Sequence, residues 1–140
     1  MPKIAISGTN WLEVKCKEID AERDRRQAIS LEYTFPDGIT GHIQRRDQKD
    51  ERNIQGLATA SMALVMAGNT TDKVYFLDEE NIKHWMTGSE GVQFGMFIQE
   101  NYATLHNAGR EHKDAVKAIS EDATKTVQDI INYDYSQGWD

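Results

Sequence analysis

Little in this sequence announces a chemistry. One cysteine, Cys16, leaves no internal disulfide and no cysteine-built zinc site. Placed among the apolar positions of a helix, its thiol is expected to be packed rather than reactive. Basic charge is short as well: 16 Lys and Arg against 23 Asp and Glu give a net charge of -7. Contacts to phosphate need clustered cations, so nucleic acid is not expected as a partner. The densest basic stretch, Arg45 to Arg52, is interleaved with Asp47, Asp50 and Glu51 and reads as a solvated face. No apolar run reaches the roughly 20 residues a bilayer crossing takes. The opening Met1-Pro2-Lys3-Ile4-Ala5-Ile6-Ser7-Gly8 is too short for a signal peptide or an anchor, so no membrane partner is expected, and synthesis in a reducing cytoplasm is.

Site motifs are missing too. Of the four histidines, His106 and His112 lie nearest each other, and their spacing puts them on separate faces of a helix. His42 and His84 fall on strand-like segments and are expected at a surface or an edge. No HExxH, HxxxH or GxSxG occurs, and Gly88, Gly91 and Gly95 fit neither a P-loop nor a dinucleotide fingerprint. Asp78-Glu79-Glu80 lacks the alternating ligands and central glycine of a calcium loop. No catalytic residue, metal or cofactor is therefore expected, and the chain reads as no enzyme.

What is present is an architecture. Ile54 to Gly68 is the longest run without a charge, small or apolar on nearly every face. A helix of that kind is expected to be buried on most sides, as a central core helix. Asp47 or Asp50 starts it, and Gly68 with Asn69 stops it in a left-handed cap. Before it, Lys3 to Ser7 alternates like a short strand or extended arm. Thr9 or Asn10 then caps an amphipathic helix from Trp11 to about Ser30, with Leu12, Cys16 and Ile19 along one face. Leu31 to Phe35 and Ile39 to Gln44 form a hairpin around Pro36-Asp37-Gly38. Lys73 to Leu77 and Ile82 to Met86 form a second, with Trp85 in the core beneath it. A long helix follows from Glu90 to about Ile119, with a continuation towards Tyr133. The fold class is thus α+β: two β-hairpins packed with a buried central helix, an amphipathic N-terminal helix and a long C-terminal helix.

That last helix carries steps of four and three through Ile98, Tyr102, Leu105, Gly109, His112, Val116, Ile119, Ala123, Thr126 and Ile130. Such a repeat either packs on its own domain or supercoils with a partner helix. At 39% hydrophobic and 28% charged, the chain is either an ordinary α-rich monomer or one that completes its core through neighbours. Aromatic side chains anchor interfaces because they bury large area with few rotors. The interface candidates are therefore Trp11, Leu105, Val116, Ile119, Ile130, Tyr133, Tyr135 and Trp139.

Ala21-Glu22-Arg23-Asp24-Arg25-Arg26 leading into a hairpin, an Arg46-Asp47 step into an Ala-rich helix, a Trp-bearing second hairpin and a long helix from Tyr102 to Ile119 form a further pattern. In that order of elements the chain resembles a bacteriophage family of unknown function found in tail-fibre, tail-assembly and other tail-region proteins. The resemblance covers about Ala21 to Ile119. It divides the chain into an arm with the start of the first helix (1–20), an α+β domain (21–119) and a helical extension with a tail (120–140). It implies a non-enzymatic structural protein of the virion tail, made in the host cytoplasm. Such an adaptor would link tail or baseplate to a fibre, with itself and other tail or fibre proteins as partners. The alternative it leaves open is a tail-fibre assembly chaperone absent from the mature particle.

Overall fold

The computed structural model describes residues 8–140, so the strand or arm expected at Lys3 to Ser7 lies outside the described residues. The elements are α1 (Trp11–Gln27), β1 (Leu31–Thr34), β2 (Thr40–Ile43), α2 (Gln48–Met66), β3 (Lys73–Leu77), β4 (Lys83–Thr87), α3 (Gly88–Glu121) and α4 (Val127–Ile131). The class is α+β, with two separate two-stranded antiparallel hairpins, β1–β2 and β3–β4, and a long helix towards the C-terminus. The chain forms two compact units. Residues 27–101 form a hairpin unit; described residues 8–26 together with 102–140 form a helical unit. These limits differ from boundaries at 20 and 119, because α1 and the second half of α3 are spent on one shared core.

In the hairpin unit both turns are built alike. The Phe35 N–H donates to the Ile39 carbonyl (3.0 Å) and the Gly38 N–H to the Phe35 carbonyl (2.8 Å). The Asp78 N–H donates to Ile82 (3.0 Å) and Asn81 to Asp78 (3.0 Å) in the same way. Gly38 (φ 82°) and Asn81 (φ 64°) take the left-handed position that such a three-residue loop demands. The registers centre on those loops, with Tyr33 opposite Gly41 and Tyr75 opposite Trp85. Phe35, Ile43, Phe76, Met86, Phe94 and Ile98 fill the core of this unit.

The helix ends follow their sequence signals. Asp47 caps α2 by accepting the Asp50 N–H (3.0 Å), and Gly68 (φ 66°) closes it. Thr87 and Glu90 form a reciprocal capping box at the start of α3, each accepting the other's backbone N–H. The burial of α2 departs from expectation. Only Ile54, Leu57 and Ser61 are buried, while Met62, Val65 and Met66 are exposed. The buried stripe meets α3 through small residues. A Cβ at Gly91 would collide with the Ser61 side chain, one at Gly88 would lie 2.8 Å from Leu64 Cβ, and one at Gly95 3.2 Å from Ala58 Cβ. The three glycines are thus a close helix–helix seam. Arg45 also leaves the solvated face expected of it. It is buried, donating to Asn101 Oδ1 (2.6 Å) and to the Ile29 carbonyl (3.2 Å).

In the helical unit α1 opens on Asn10, whose Oδ1 accepts the Glu13 N–H (3.3 Å). Its polar second half is laced by ion pairs: Arg25 and then Arg26 hold the Glu22 carboxylate down to a pKa of about 2. Ile19, Leu105, Ala108, Val116, Ile130 and Trp139 form the core. α3 does not continue to Tyr133. It ends at Glu121, Asp122 Oδ1 accepts from the Thr124 N–H and hydroxyl, and α4 begins anew behind Thr126. The seam through Ala123, Thr126 and Ile130 is therefore broken by a turn.

Candidate functional site

All eight interface candidates gather in the helical unit. Leu105, Val116, Ile130 and Trp139 are buried, and Trp11, Ile119, Tyr133 and Tyr135 pack against them while partly accessible. In the single chain the four buried ones are core rather than an open seam. Trp139 shows why. Its Nε1–H donates to the Tyr135 carbonyl (2.7 Å), its ring lies against His112 (5.0 Å) and the Arg26 guanidinium sits over it at 5.3 Å. His112 bonds the Tyr133 hydroxyl through Nδ1 and the Gln137 carbonyl through Nε2, both at 2.7 Å. A carbonyl can only accept, so Nε2 carries a hydrogen and donates it to Gln137. Lys15 is buried with them, donating to the Ile131 carbonyl (2.9 Å) at the end of α4, where a cation suits the helix dipole. Cys16 is half-buried, and burial pushes its thiol pKa up.

In the hairpin unit the polar arrangement is more unusual. His84, expected at a surface, is fully buried, because on β4 it shares the inward face with Met86. Its ring stacks on Phe35 at 3.7 Å and bonds two carboxylates: Nε2 to Asp78 Oδ2 (2.6 Å) and Nδ1 to Asp37 Oδ2 (2.7 Å). With both acids ionised, the ring donates from both nitrogens and is an imidazolium. Burial opposes that charge, yet the bonds to Asp78 and then Asp37 outweigh it and hold the His84 pKa above its ordinary value. Burial likewise resists ionisation of the two acids. Asp37 is nevertheless lowered, by the Ile39 N–H and His84, and Asp78 by His84 and the Ile82 and Glu80 N–H groups.

A reciprocal contact runs the other way. His42 on β2 bonds Glu80 in the second turn through Nδ1 (2.9 Å), and the His42 carbonyl accepts the Glu79 N–H (2.9 Å). Each hairpin thus lends a histidine to an acid in the other's turn. Gly41 leaves the room for this. A Cβ there would sit 2.6 Å from Asp78 Oδ2 and 3.1 Å from His84 Nε2.

Beside this clasp lies a groove of about 580 Å³. Asp50, Asn53, Leu57 and Ala60 of α2 form one wall; Lys73 to Glu79 and Trp85 form the other. Trp85, expected in the core, is half-exposed, paired with Tyr75 at 5.0 Å on the outward face of the hairpin. His84 and Met86 occupy the inward face in its place. Among the described residues, no group of three or more His, Cys, Asp and Glu side chains is placed to hold a metal ion, and no helix is long and apolar enough to cross a membrane.

The arrangement is a small α+β fold in which a histidine–carboxylate clasp borders an open groove. Residues 12–136 match the family described as a domain of unknown function, DUF4376, and the chain belongs to that family. The match reaches beyond Ala21 and Ile119, so α1 from Leu12 onwards and the chain as far as Ser136, short of Trp139, fall inside the family's domain. No curated protein and no solved structure matches the chain significantly.

Proposed function

We propose that the chain is a non-enzymatic structural protein of a phage tail, an adaptor that joins tail or baseplate to a fibre and assembles with copies of itself. The observation that carries the reading is where apolar surface remains. The exposed large hydrophobic side chains among the described residues, Met62, Val65, Met66, Tyr75, Leu77 and Trp85 among them, all belong to the hairpin unit. Apolar surface left open in this way supports a reading of protein contact. The aromatic C-terminal segment packs in the core of its own unit, which favours the hairpin unit over the first and last helices as the contact face of this reading. The tail setting is supported by the resemblance in element order.

The test is quantitative mass spectrometry on gradient-purified particles, scaled to the major tail protein. A fixed stoichiometric ratio is expected. Abundance in the lysate with absence from particles would sink the adaptor and favour the assembly chaperone.

A further inference from the structure

We infer that the groove beside β3 takes an extended segment of another protein as a third strand, antiparallel to β3, with a basic residue at its N-terminal end and an acidic one at its C-terminal end. The inference rests on the reading of the hairpin unit as a protein-binding face and says what kind of partner it takes.

Ladder geometry comes first. The Asp78 N–H bonds the Ile82 carbonyl, so this is a hydrogen-bonded pair of the hairpin. Such pairs alternate along an antiparallel ladder. With Phe76 opposite His84 and Val74 opposite Met86, those pairs are also bonded, and Lys73, Tyr75 and Leu77 turn their N–H and C=O groups away from β4. They face the free edge, where the groove lies. An edge with unpaired backbone groups is a template for another strand.

The walls then set the side-chain pattern. On one face the incoming strand meets Tyr75, Leu77 and Trp85, all about half exposed, which suits aliphatic side chains. On the other it meets Asn53, Leu57 and Ala60 of α2, which suits small ones. Charge orients it. Lys73 marks one end of the groove, while Asp50, Asp78 and Glu79 gather at the other. Asp50 is paired with Arg46 and Asp78 with His84. The Glu79 carboxylate, bonded to the Ser30 hydroxyl, takes part in no ion pair among the described residues. An antiparallel strand lays its N-terminal end beside Glu79 and its C-terminal end beside Lys73.

The probe is a fluorescein-labelled peptide, Arg-Ser-Val-Ser-Val-Ser-Glu, titrated with the full chain and read by anisotropy. Saturable one-to-one binding is expected. It should weaken at least tenfold when alternate peptide nitrogens are methylated, and severalfold when the terminal charges are exchanged. Leu77→Pro removes one outward N–H and leaves the β3–β4 ladder intact, so it should abolish binding with the circular dichroism spectrum unchanged. Should that variant unfold, Ala60→Arg, at an exposed helix position, fills the groove from the opposite wall and should abolish binding as well. Absence of binding by the parent peptide, or equal binding by the methylated one, overturns the inference. So does concentration-dependent dimerisation abolished by Leu77→Pro, which would make a second copy the occupant. A chain present at fixed ratio in particles yet blind to the peptide keeps the adaptor and loses the strand.

Discussion

His84→Ala is the substitution that most directly tests the account of the hairpin unit. It deletes a fully buried ring and leaves two carboxylates facing a void. The two are not equal: the Asp78 side chain is 1% exposed and that of Asp37 30%. Removing one partner of a buried pair costs about 3–5 kcal/mol because the other charge stays behind. The Asp78 bond falls at the lower end of that range, since two backbone N–H groups still hold its Oδ1. The Asp37 bond, open to water, adds under ~1 kcal/mol. Loss of the stack on Phe35 adds about 1 kcal/mol. We expect a loss of about 4 kcal/mol, read by native-state hydrogen exchange at the amides of β3 and β4, which reports this unit alone. Asp78→Asn is the control, because its amide oxygen still receives the turn N–H groups. The double variant should recover at least ~1.5 kcal/mol of the summed single losses. A loss below about 1 kcal/mol, or no coupling between the two sites, would refute the clasp as a stabilising element.

The same cluster gives a pH dependence. The raised His84 pKa contributes stability that is complete below its unfolded value of 6.5 and is lost as pH rises through the folded value. The lowered Asp37 and Asp78 contribute above 3.8 and lose it as pH falls through their folded values. Stability of the hairpin unit should therefore peak in mildly acidic solution and decline towards pH 8, and a urea midpoint that rises from pH 6 to 8 contradicts this. Gly91→Ala should cost about 1–3 kcal/mol by forcing α2 and α3 apart, while Gly56→Ala, with nothing within 4 Å, should gain up to ~1 kcal/mol in thermal denaturation. Trp139→Ala should destabilise the helical unit by about 3–5 kcal/mol, visible as lost exchange protection in α1. Unchanged protection there would show the tail to be merely laid on the surface.

Local signals were largely legible. Pro36-Asp37-Gly38, Asp47 and Gly68 each mark a boundary through a backbone need that no distant contact overrides. Burial was harder to see. Ile54 to Gly68 has the composition of an enclosed helix, but small residues are compatible with either surface, and only the α3 glycines decide which side closes. His84 and Trp85 were assigned by residue type, whereas strand parity decides. Once Val74 and Phe76 point inward, their cross-strand partners Met86 and His84 must follow, and Trp85 must turn out. That Asp37 and Asp78 would meet one histidine was invisible, since they lie in separate turns 41 positions apart in the chain. The heptad-like steps of α3 were real up to Ile119. Leu105 and Val116 on them are buried in the core of their own unit, and spacing does not tell such packing from a seam with another chain.

The discontinuous helical unit sets an order of events during synthesis. By residue 101 every core side chain of the hairpin unit has been made, so that unit can close early, as domains generally do when they fold in turn. The helical unit brackets it: α1 is made before the hairpin unit, yet Trp139 of the same core lies 112 positions beyond the end of α1 at Gln27. α1 must wait without its core while the whole hairpin unit is made. Its charge-laced surface, with Ile19 its one fully buried apolar side chain, is what lets it wait without sticking to anything else.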